Sequence, residues 1–217
     1  MRIETRLILA LDETDEAKAL SVAREVSDMV DAIKINWPLV LSTSPRTITA
    51  LSELAPVICD FKIADIPNTN RLIVEQAVRL GASGVIVQGF VGSDSVKAAV
   101  DAANGRDVFV VTEMSHPGGL EFTAPNAEKL AELAVRSGAT GVIAPATRPE
   151  RIRRVREIIG DLLILSPGVG AQGGKASDAL RMGADHVIVG RSIYGSDRPR
   201  KAAEEVLQEI RTCIFHK

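Results

Sequence analysis

Charged residues stand at the ends of short aliphatic runs, with a spacing suited to acid–base chemistry. Asp60 and Lys62 close one run, Asp12 closes another, and Lys34 lies within a third. Because side chains alternate along a strand, Asp60 and Lys62 should share a face with Ile58. An isolated buried charge is costly, so these acids and lysines are expected to pair. The pattern predicts a carboxylate and an ammonium side by side in one site.

Asp65 follows Lys62 by three residues. It lies beyond the strand and leaves its alternation, so it need not face the same cavity. The alternative interpretation of all these charges is a salt-bridge network that closes one end of the fold without doing chemistry. We favour the functional interpretation because the charges lie at the carboxyl ends of the predicted strands, where parallel folds build active sites.

Two segments late in the chain, one of them glycine-rich, have the composition of a phosphate site. SPGVGAQGG begins at Ser166, and Gly190 and Arg191 follow the last aliphatic run. Glycines let backbone N–H groups approach phosphate oxygens closely, and an arginine adds a bidentate donor. A plain turn would explain one such loop, but two loops with an arginine favour phosphate binding.

Ser115, His116 and Trp37 are further candidates for functional or packing roles. Ser115 or His116, in the segment TEMSHPG, could contact a polar heterocycle, although His116 is better explained as a loop residue that caps its own turn. The three histidines are dispersed, so no metal site is predicted. No cofactor-binding motif is found either, and Trp37 is expected to pack at the rim of the fold.

A repeated strand–helix unit positions these residues. Eight aliphatic runs, each followed by a polar corner and a segment with helical periodicity, predict a parallel sheet. Their even, short spacing favours a closed (β/α)8 TIM barrel in a single domain, residues 1–217, over a doubly wound open sheet. The predicted strands are 6–11, 32–35, 57–61, 84–87, 107–112, 141–144, 162–165 and 186–189. Helices are expected to start near Asp15, Ser44, Thr69, Ser93, Pro125, Arg148, Gln172 and Pro199.

The composition argues against several classes of function. The net charge of −2 and the 3% of aromatic residues suit an aliphatic, enclosed sheet and not a nucleic-acid-binding protein. The basic stretch 148–156 is interleaved with Glu150 and apolar residues, and is interpreted as a solvated helix face. Cys59 and Cys213 are predicted to be free thiols. Since neither a signal peptide nor an apolar stretch of membrane-spanning length is apparent, a cytoplasmic location is expected.

Together these segments resemble the orotidine 5′-monophosphate decarboxylase family, in particular its compact archaeal-type members. The likeness runs from ILALD at Ile8 to the last helix, through DFKIADIPNT at Asp60, TEMSHPG at Thr112, SPGVGAQGG at Ser166 and IVGRSIY at Ile188. Related sugar-phosphate decarboxylases and hexulose-phosphate synthases share the sparser pattern Asp-x-Lys-x-x-Asp, without the Ile-Pro-x-Thr continuation or the GVGAQGG loop. The resemblance implies decarboxylation of orotidine 5′-monophosphate to UMP, the last step of de novo UMP synthesis, without a cofactor.

The resemblance also implies a role for each matching residue. Lys62 would donate a proton to C6 of the pyrimidine, Asp60 would lie against the substrate carboxylate, and Lys34 would hold Asp60 and a ribose hydroxyl. Asp65 would complete a Lys–Asp–Lys–Asp array from the other subunit of a homodimer, and Thr69 would cross the same interface. The implied substrate contacts are Asp12 to the ribose, Ser115 and Gln172 to the base, and Gln172, Gly190 and Arg191 to the phosphate. Residues 167–177 would form a mobile flap over the phosphate, and its substrate-binding residues would be Pro167, Gly168, Val169, Gly170, Gln172 and Gly173.

One departure from the family and several alternatives stay open. Gln88 stands where members of the family often have histidine, which puts one local contact in doubt. The alternative functions are a metal-dependent sugar-phosphate lyase of the same superfamily and a non-catalytic nucleotide sensor. A sensor would need the phosphate loops but not the set of Lys62, Asp60 and Asp65. The apolar strand ends could form a pocket for departing carbon dioxide or be ordinary barrel core; they are Ile86, Val111 and Ile143.

Overall fold

Eight parallel strands close into a barrel in sequence order in the computed structural model, which describes residues 1–214. The strands are β1 (Leu7–Leu11), β2 (Ala32–Ile35), β3 (Val57–Ile63), β4 (Gly84–Gln88), β5 (Asp107–Val111), β6 (Gly141–Ile143), β7 (Leu163–Pro167) and β8 (His186–Val189), and β8 pairs with β1. The predicted (β/α)8 TIM barrel is confirmed, and every strand ends within two residues of its predicted bounds.

Helices alternate with the strands. They are α1 (Glu16–Val26), α2 (Trp37–Ser42), α3 (Arg46–Ser52), α4 (Pro67–Arg79), α5 (Ser93–Ala102), α6 (Gly119–Phe122), α7 (Ala127–Arg136), α8 (Pro149–Ile159), α9 (Ala176–Arg181), α10 (Arg191–Tyr194) and α11 (Pro199–Ile214). The helix predicted to start near Gln172 begins four residues later, at Ala176, because residues 168–174 form a loop closed by its own backbone hydrogen bonds. The short helices α2, α6 and α10 were not predicted, since fewer than two turns leave little periodicity to detect. No helix in the described residues is long and apolar enough to cross a membrane.

Alternation along the strands divides the apolar residues between two cores. One set, including Ile8, Ile58 and Phe109, points inward and fills the barrel. The intervening residues, such as Leu7 and Leu9, pack beneath the surrounding helices. Both faces of each strand are therefore buried, which explains why the predicted strands read as nearly continuous aliphatic runs.

One buried carboxylate attaches the amino-terminal residues to the barrel. Asp31 accepts the backbone N–H groups of Glu4, Thr5 and Arg6 at 3.0, 2.9 and 3.0 Å, and lies 3.0 Å from Nε2 of His186. Burial alone would raise the pKa of Asp31. The hydrogen bonds, first that with His186 and then those from the three N–H groups, outweigh burial and hold this pKa well below its usual value. The ionised carboxylate therefore stabilises this end of the fold.

The basic helix α8 is solvated on one side, as interpreted from the sequence, where Arg153 and Arg154 are exposed, and its other arginines anchor it to neighbouring elements. Arg156 donates to the backbone oxygen of Gly183 at 2.8 Å and to the carboxylate of Asp185 at 2.5 Å. Arg148 and Arg151 also form ion pairs with Glu113 in the loop after β5. Long arginine stems can lie along a surface while their guanidinium groups bind groups on adjacent elements, which sequence periodicity does not report.

The two cysteines are free thiols, as predicted. Cys59 is buried in β3, and this burial raises the pKa of its thiol to about 12, with a further contribution from the neighbouring charge of Asp60. Cys213 in α11 is only partly buried. The two thiols should therefore differ in reactivity.

Candidate active site

A cavity of ≈ 250 Å³ opens at the carboxyl ends of the strands, where the sequence predicted the site. Most of the predicted site residues line it: Asp12, Lys34, Asp60, Lys62, Ser115, Pro167, Gly168, Val169, Gln172, Gly190 and Arg191. Four predicted residues are not in its lining: Asp65, Thr69, Gly170 and Gly173. The barrel thus brings residues that are up to 179 positions apart in the sequence, Asp12 and Arg191, into one cavity.

One carboxylate lies between two lysines in this cavity. Asp60 Oδ2 is 2.8 Å from Lys34 Nζ, and Asp60 Oδ1 is 2.8 Å from Lys62 Nζ. Lys34 and Asp60 are 4% and 6% exposed, whereas 32% of the Lys62 side chain remains exposed. Asp12 Oδ1 lies 3.9 Å from Lys34 Nζ and has no hydrogen-bond partner within residues 1–214. The charges therefore pair as expected, and the Lys62 ammonium stays accessible to a ligand.

Lys62 reaches the cavity through an irregular backbone and not through strand alternation alone. Its φ of 45° lies in the left-handed region, and the pairing of β3 with β4 shifts register between Cys59 and Ile63. Trp37 stacks on Phe61 with ring centroids 4.2 Å apart and donates its Nε1–H to Phe61 O at 3.1 Å. Trp37 thus packs at the rim, as predicted, beside the bulge. Such a backbone conformation persists only where neighbouring packing holds it.

A buried ion pair that the sequence analysis missed supports the wall beside Ser115. Glu113 lines the cavity and is almost fully buried. Arg148 donates to Glu113 Oε1 and to the backbone oxygen of Met114, and Arg151 Nη1 lies 3.4 Å from Glu113 Oε2. The only signal in the sequence was an acid within TEMSHPG, and its partner lies 35 residues away. This pair fixes the backbone that carries Ser115.

The glycine-rich loop after β7 is a small turn closed on itself. Gly170 N–H donates to Gly174 O and Gly174 N–H donates to Gly168 O, both at 3.0 Å. Gly170 and Gly173 have φ of 75° and 88°, which glycine adopts without strain. These two residues therefore shape the turn, while Gln172 and the start of the loop line the cavity.

Gly190 and Arg191 line the cavity after β8, as predicted, together with Tyr194. Burial raises the pKa of Tyr194, and the negative charge of Asp12 adds to the effect. The phenol therefore keeps its proton at neutral pH and can donate a hydrogen bond. Tyr194 was not predicted as a site residue, since its place in the motif IVGRSIY was the only signal that the sequence offered.

Asp65 lies outside the cavity, consistent with its position beyond the strand. Its side chain is exposed, and Oδ1 accepts the N–H of Ile66 at 2.7 Å. Thr69 is partly buried in the first turn of α4. Neither side chain serves the cavity of its own chain.

The apolar strand ends Ile86, Val111 and Ile143 line the cavity. Gln88 is buried behind this wall, with Nε2 3.7 Å from Met114 Sδ. Its Oε1 has no hydrogen-bond partner in the described part of the chain. His116 does not line the cavity, and its backbone oxygen accepts the Gly119 N–H at 3.0 Å, in keeping with its interpretation as a turn residue.

Comparison with known proteins shows which family the chain resembles. The family described as Orotidine 5′-phosphate decarboxylase / HUMPS matches residues 5–206. Two relatives named orotidine 5′-phosphate decarboxylase are each 58% identical: that of Methanococcoides burtonii over 97% of this chain and 99% of its own, and that of Methanosarcina mazei over 100% of both. The structure of orotidine 5′-monophosphate decarboxylase from Methanocaldococcus jannaschii complexed with the inhibitor BMP has a TM-score of 0.89 at 46% identity, covering 94% of this chain and 97% of that one. The enzyme from Pyrococcus horikoshii gives 0.88 at 47%, covering 94% and 99%.

Proposed function

The chain belongs to the orotidine 5′-phosphate decarboxylase / HUMPS family, and from this premise we propose that it converts orotidine 5′-monophosphate to UMP, the last step of de novo UMP synthesis. The protein is a carboxy-lyase by its high identity to relatives of that name over their full length. The family resemblance stated from the sequence motifs is thereby confirmed. The observation that carries the proposal is the Lys34–Asp60–Lys62 network inside a cavity bordered by the glycine-rich loop after β7 and by Gly190 and Arg191 after β8.

Lys62 is the proposed proton donor. Loss of carbon dioxide breaks the bond between C6 and the carboxylate and leaves the electron pair on C6, where no carbonyl can take it up. The Lys62 ammonium, held by Asp60 at 2.8 Å, stabilises this charge and then transfers its proton to C6. Protein side chains supply the chemistry in this proposal, with no cofactor or metal ion taking part.

Asp60 lies against the substrate carboxylate in the proposed complex. Two carboxylates about 4 Å apart, at an effective dielectric constant near 20, repel each other by about 4 kcal/mol. Departure of neutral carbon dioxide relieves this repulsion. Because Lys34 and Lys62 already hold Asp60 in place, it cannot turn away from the incoming charge without losing two ion pairs. Stabilisation of the transition state by Lys62 is the larger effect, and repulsion in the ground state adds to it.

The remaining cavity residues bind the parts of the nucleotide that do not react. We assign Asp12 and Lys34 to the ribose, Ser115 and Gln172 to the base, and Gln172, Gly190 and Arg191 to the phosphate. The loop within residues 167–177 acts as the flap over the phosphate. Binding energy from the phosphate closes this flap and holds the pyrimidine in its reactive position.

The active protein is proposed to be a homodimer in which Asp65 and Thr69 enter the neighbouring site. Asp65 is exposed and outside its own cavity, so it is available to another subunit. Large apolar side chains are exposed on the segments that follow β2, β3 and β4, on the same rim: Trp37, Leu41, Ile66 and Phe90. Exposed apolar clusters of this kind are typical of protein interfaces.

A spectrophotometric assay of orotidine 5′-monophosphate, with and without EDTA, tests the proposed reaction. We expect conversion to UMP at the same rate in both conditions. Activity on 3-keto-gulonate 6-phosphate that EDTA abolishes would instead establish the metal-dependent lyase. UMP binding without any turnover would establish the nucleotide sensor.

Mixed dimers test the shared site. Asp65→Asn and Lys62→Ala chains, co-expressed with different tags, should each be inactive alone and form one intact site per heterodimer. The heterodimer should therefore regain about half of the wild-type activity per dimer, because one of its two sites is intact. Purified heterodimers that stay inactive would overturn the assignment of Asp65 to the neighbouring site.

A further inference from the structure

Asn70 is a buried polar residue that the proposed mechanism does not use. It lies in the first turn of α4, fully inaccessible to solvent. Its Oδ1 accepts the backbone N–H of Asp65 at 3.0 Å, and its Nδ2 donates to the backbone oxygen of Ser95 in α5 at 3.3 Å. Its own backbone N–H donates to Ile66 O at 3.1 Å.

The side-chain amide therefore hydrogen-bonds to two backbone groups, one in the loop that carries Asp65 and the other in the neighbouring helix α5. A buried amide is costly unless its donor and acceptor are satisfied, so an apolar side chain would be the simpler way to fill this space. The contacts of Asn70 fix the Asp65 backbone relative to α5. The Asp65 side chain itself is exposed and bonds only the adjacent Ile66 N–H among the described residues.

We propose that Asn70 is a positioning residue that acts on the neighbouring subunit's site: by holding the backbone of Asp65, it sets the place at which that carboxylate enters the other active site. This inference rests on the proposed function, in which Asp65 completes the Lys–Asp–Lys–Asp array of the second subunit. None of the hydrogen-bond partners given for Asn70, which are Asp65, Ser95 and Ile66, lines the cavity of its own chain, so loss of its amide should leave that cavity intact.

The expected defect is in turnover. A displacement of about 1 Å in a catalytic group can cost on the order of 100-fold in rate, so Asn70→Ala should lower kcat by roughly 10- to 100-fold. The Kd for UMP should change by less than about threefold, because the residues proposed to bind the phosphate and the base lie on other loops. Asn68→Ala is the matched control: Asn68 is exposed on the same helix turn and bonds only Arg71 among the described residues. Its kcat should stay within about twofold of wild type.

Heterodimers distinguish positioning from a general structural role. In a dimer of Asn70→Ala and Lys62→Ala chains, the site with the intact Lys62 receives Asp65 from the chain that retains Asn70. Its turnover should be that of a wild-type site, so the heterodimer should recover about half of the wild-type activity. If Asn70 instead supported only its own barrel, this site would keep the defect of the Asn70→Ala homodimer.

The Asp65→Asn and Lys62→Ala heterodimer, run in parallel, separates the two possible failures. Recovery with Asp65→Asn but not with Asn70→Ala would overturn the inference about Asn70 alone. If the heterodimer with Asp65→Asn does not recover activity, both the shared site and the inference about Asn70 are overturned. Wild-type turnover by the Asn70→Ala homodimer would overturn the inference about Asn70 as well. If Asn70→Ala does not fold, Asn70→Ser replaces it, because its short side chain is neutral and cannot span both the Asp65 N–H and the Ser95 oxygen. It should also lower kcat, and the same heterodimer should recover the loss.

Discussion

Replacing Lys62 with alanine should abolish catalysis while leaving folding and nucleotide binding almost unchanged. The Lys62 ammonium lies 2.8 Å from Asp60 Oδ1, and a third of its side chain is exposed. At about 3.5 Å from a developing charge on C6, with an effective dielectric constant near 20, it would stabilise that charge by roughly 5 kcal/mol. This corresponds to a factor of about 10³–10⁴ in rate, and loss of the proton donor adds about 10²–10⁴. We therefore expect kcat to fall by at least about 10⁵-fold.

Stability should change little in this variant. Partly exposed ion pairs contribute about 0–1 kcal/mol, and Asp60 keeps its second partner, Lys34, at 2.8 Å. The thermal midpoint and the Kd for UMP, measured by calorimetry, should both stay close to wild type. Lys97→Ala is the control, because Lys97 is an exposed lysine paired with Asp101 outside the site. A kcat within tenfold of wild type would refute the proton-donor role, and a parallel loss of UMP binding would assign Lys62 to binding instead of chemistry.

Two further predictions concern Asp31 and the two cysteines. Asp31→Asn should lower the free energy of unfolding by about 3 kcal/mol without changing kcat, because the charged acceptor of three backbone N–H groups is lost. The pKa of Asp31 is depressed in the folded state, so the higher free energy of unfolding of the wild type, measured in urea, should be present above about pH 4 and shrink as the pH falls below it. An equal difference in free energy between wild type and variant at pH 7 and pH 3 would contradict this. Iodoacetamide at pH 8 should modify Cys213 but not Cys59, because the buried Cys59 thiol has a pKa of about 12 and remains protonated. Mass spectrometry should find one label on the native protein and two only after unfolding. Two labels on the native protein would disprove this prediction.

The strand–helix alternation and most of the site could be predicted from the sequence. An enclosed parallel strand must bury both faces, so each strand appears as a short aliphatic run whatever its neighbours are. The pairing of Asp60 with Lys34 and Lys62 followed from the cost of burying an isolated charge at the end of such a run. Placement of the glycine-rich loops beside the cavity followed from the rule that barrel sites lie at the carboxyl ends of strands.

Other features depend on contacts between residues far apart in the chain. Arg148 was assigned to a solvated face, yet it pairs with Glu113, because closing the barrel brings α8 beside the loop after β5. The helix predicted from Gln172 starts only at Ala176, after a turn in which the Gly174 N–H donates to Gly168 O. Local periodicity contains no information on either contact.

The motif DFKIADIPNT shows this division most clearly. The sequence by itself determined that Asp60 and Lys62 belong to one site and that Asp65 leaves the strand. Only the tertiary structure decided how they are held: the register shift and positive φ at Lys62 beside the Trp37–Phe61 stack, and the loop of Asp65 tied to α5 through Asn70. The physical reason is that burial and alternation act on each residue within its own segment. A bulge or a buried amide is stable only when side chains from other segments satisfy it.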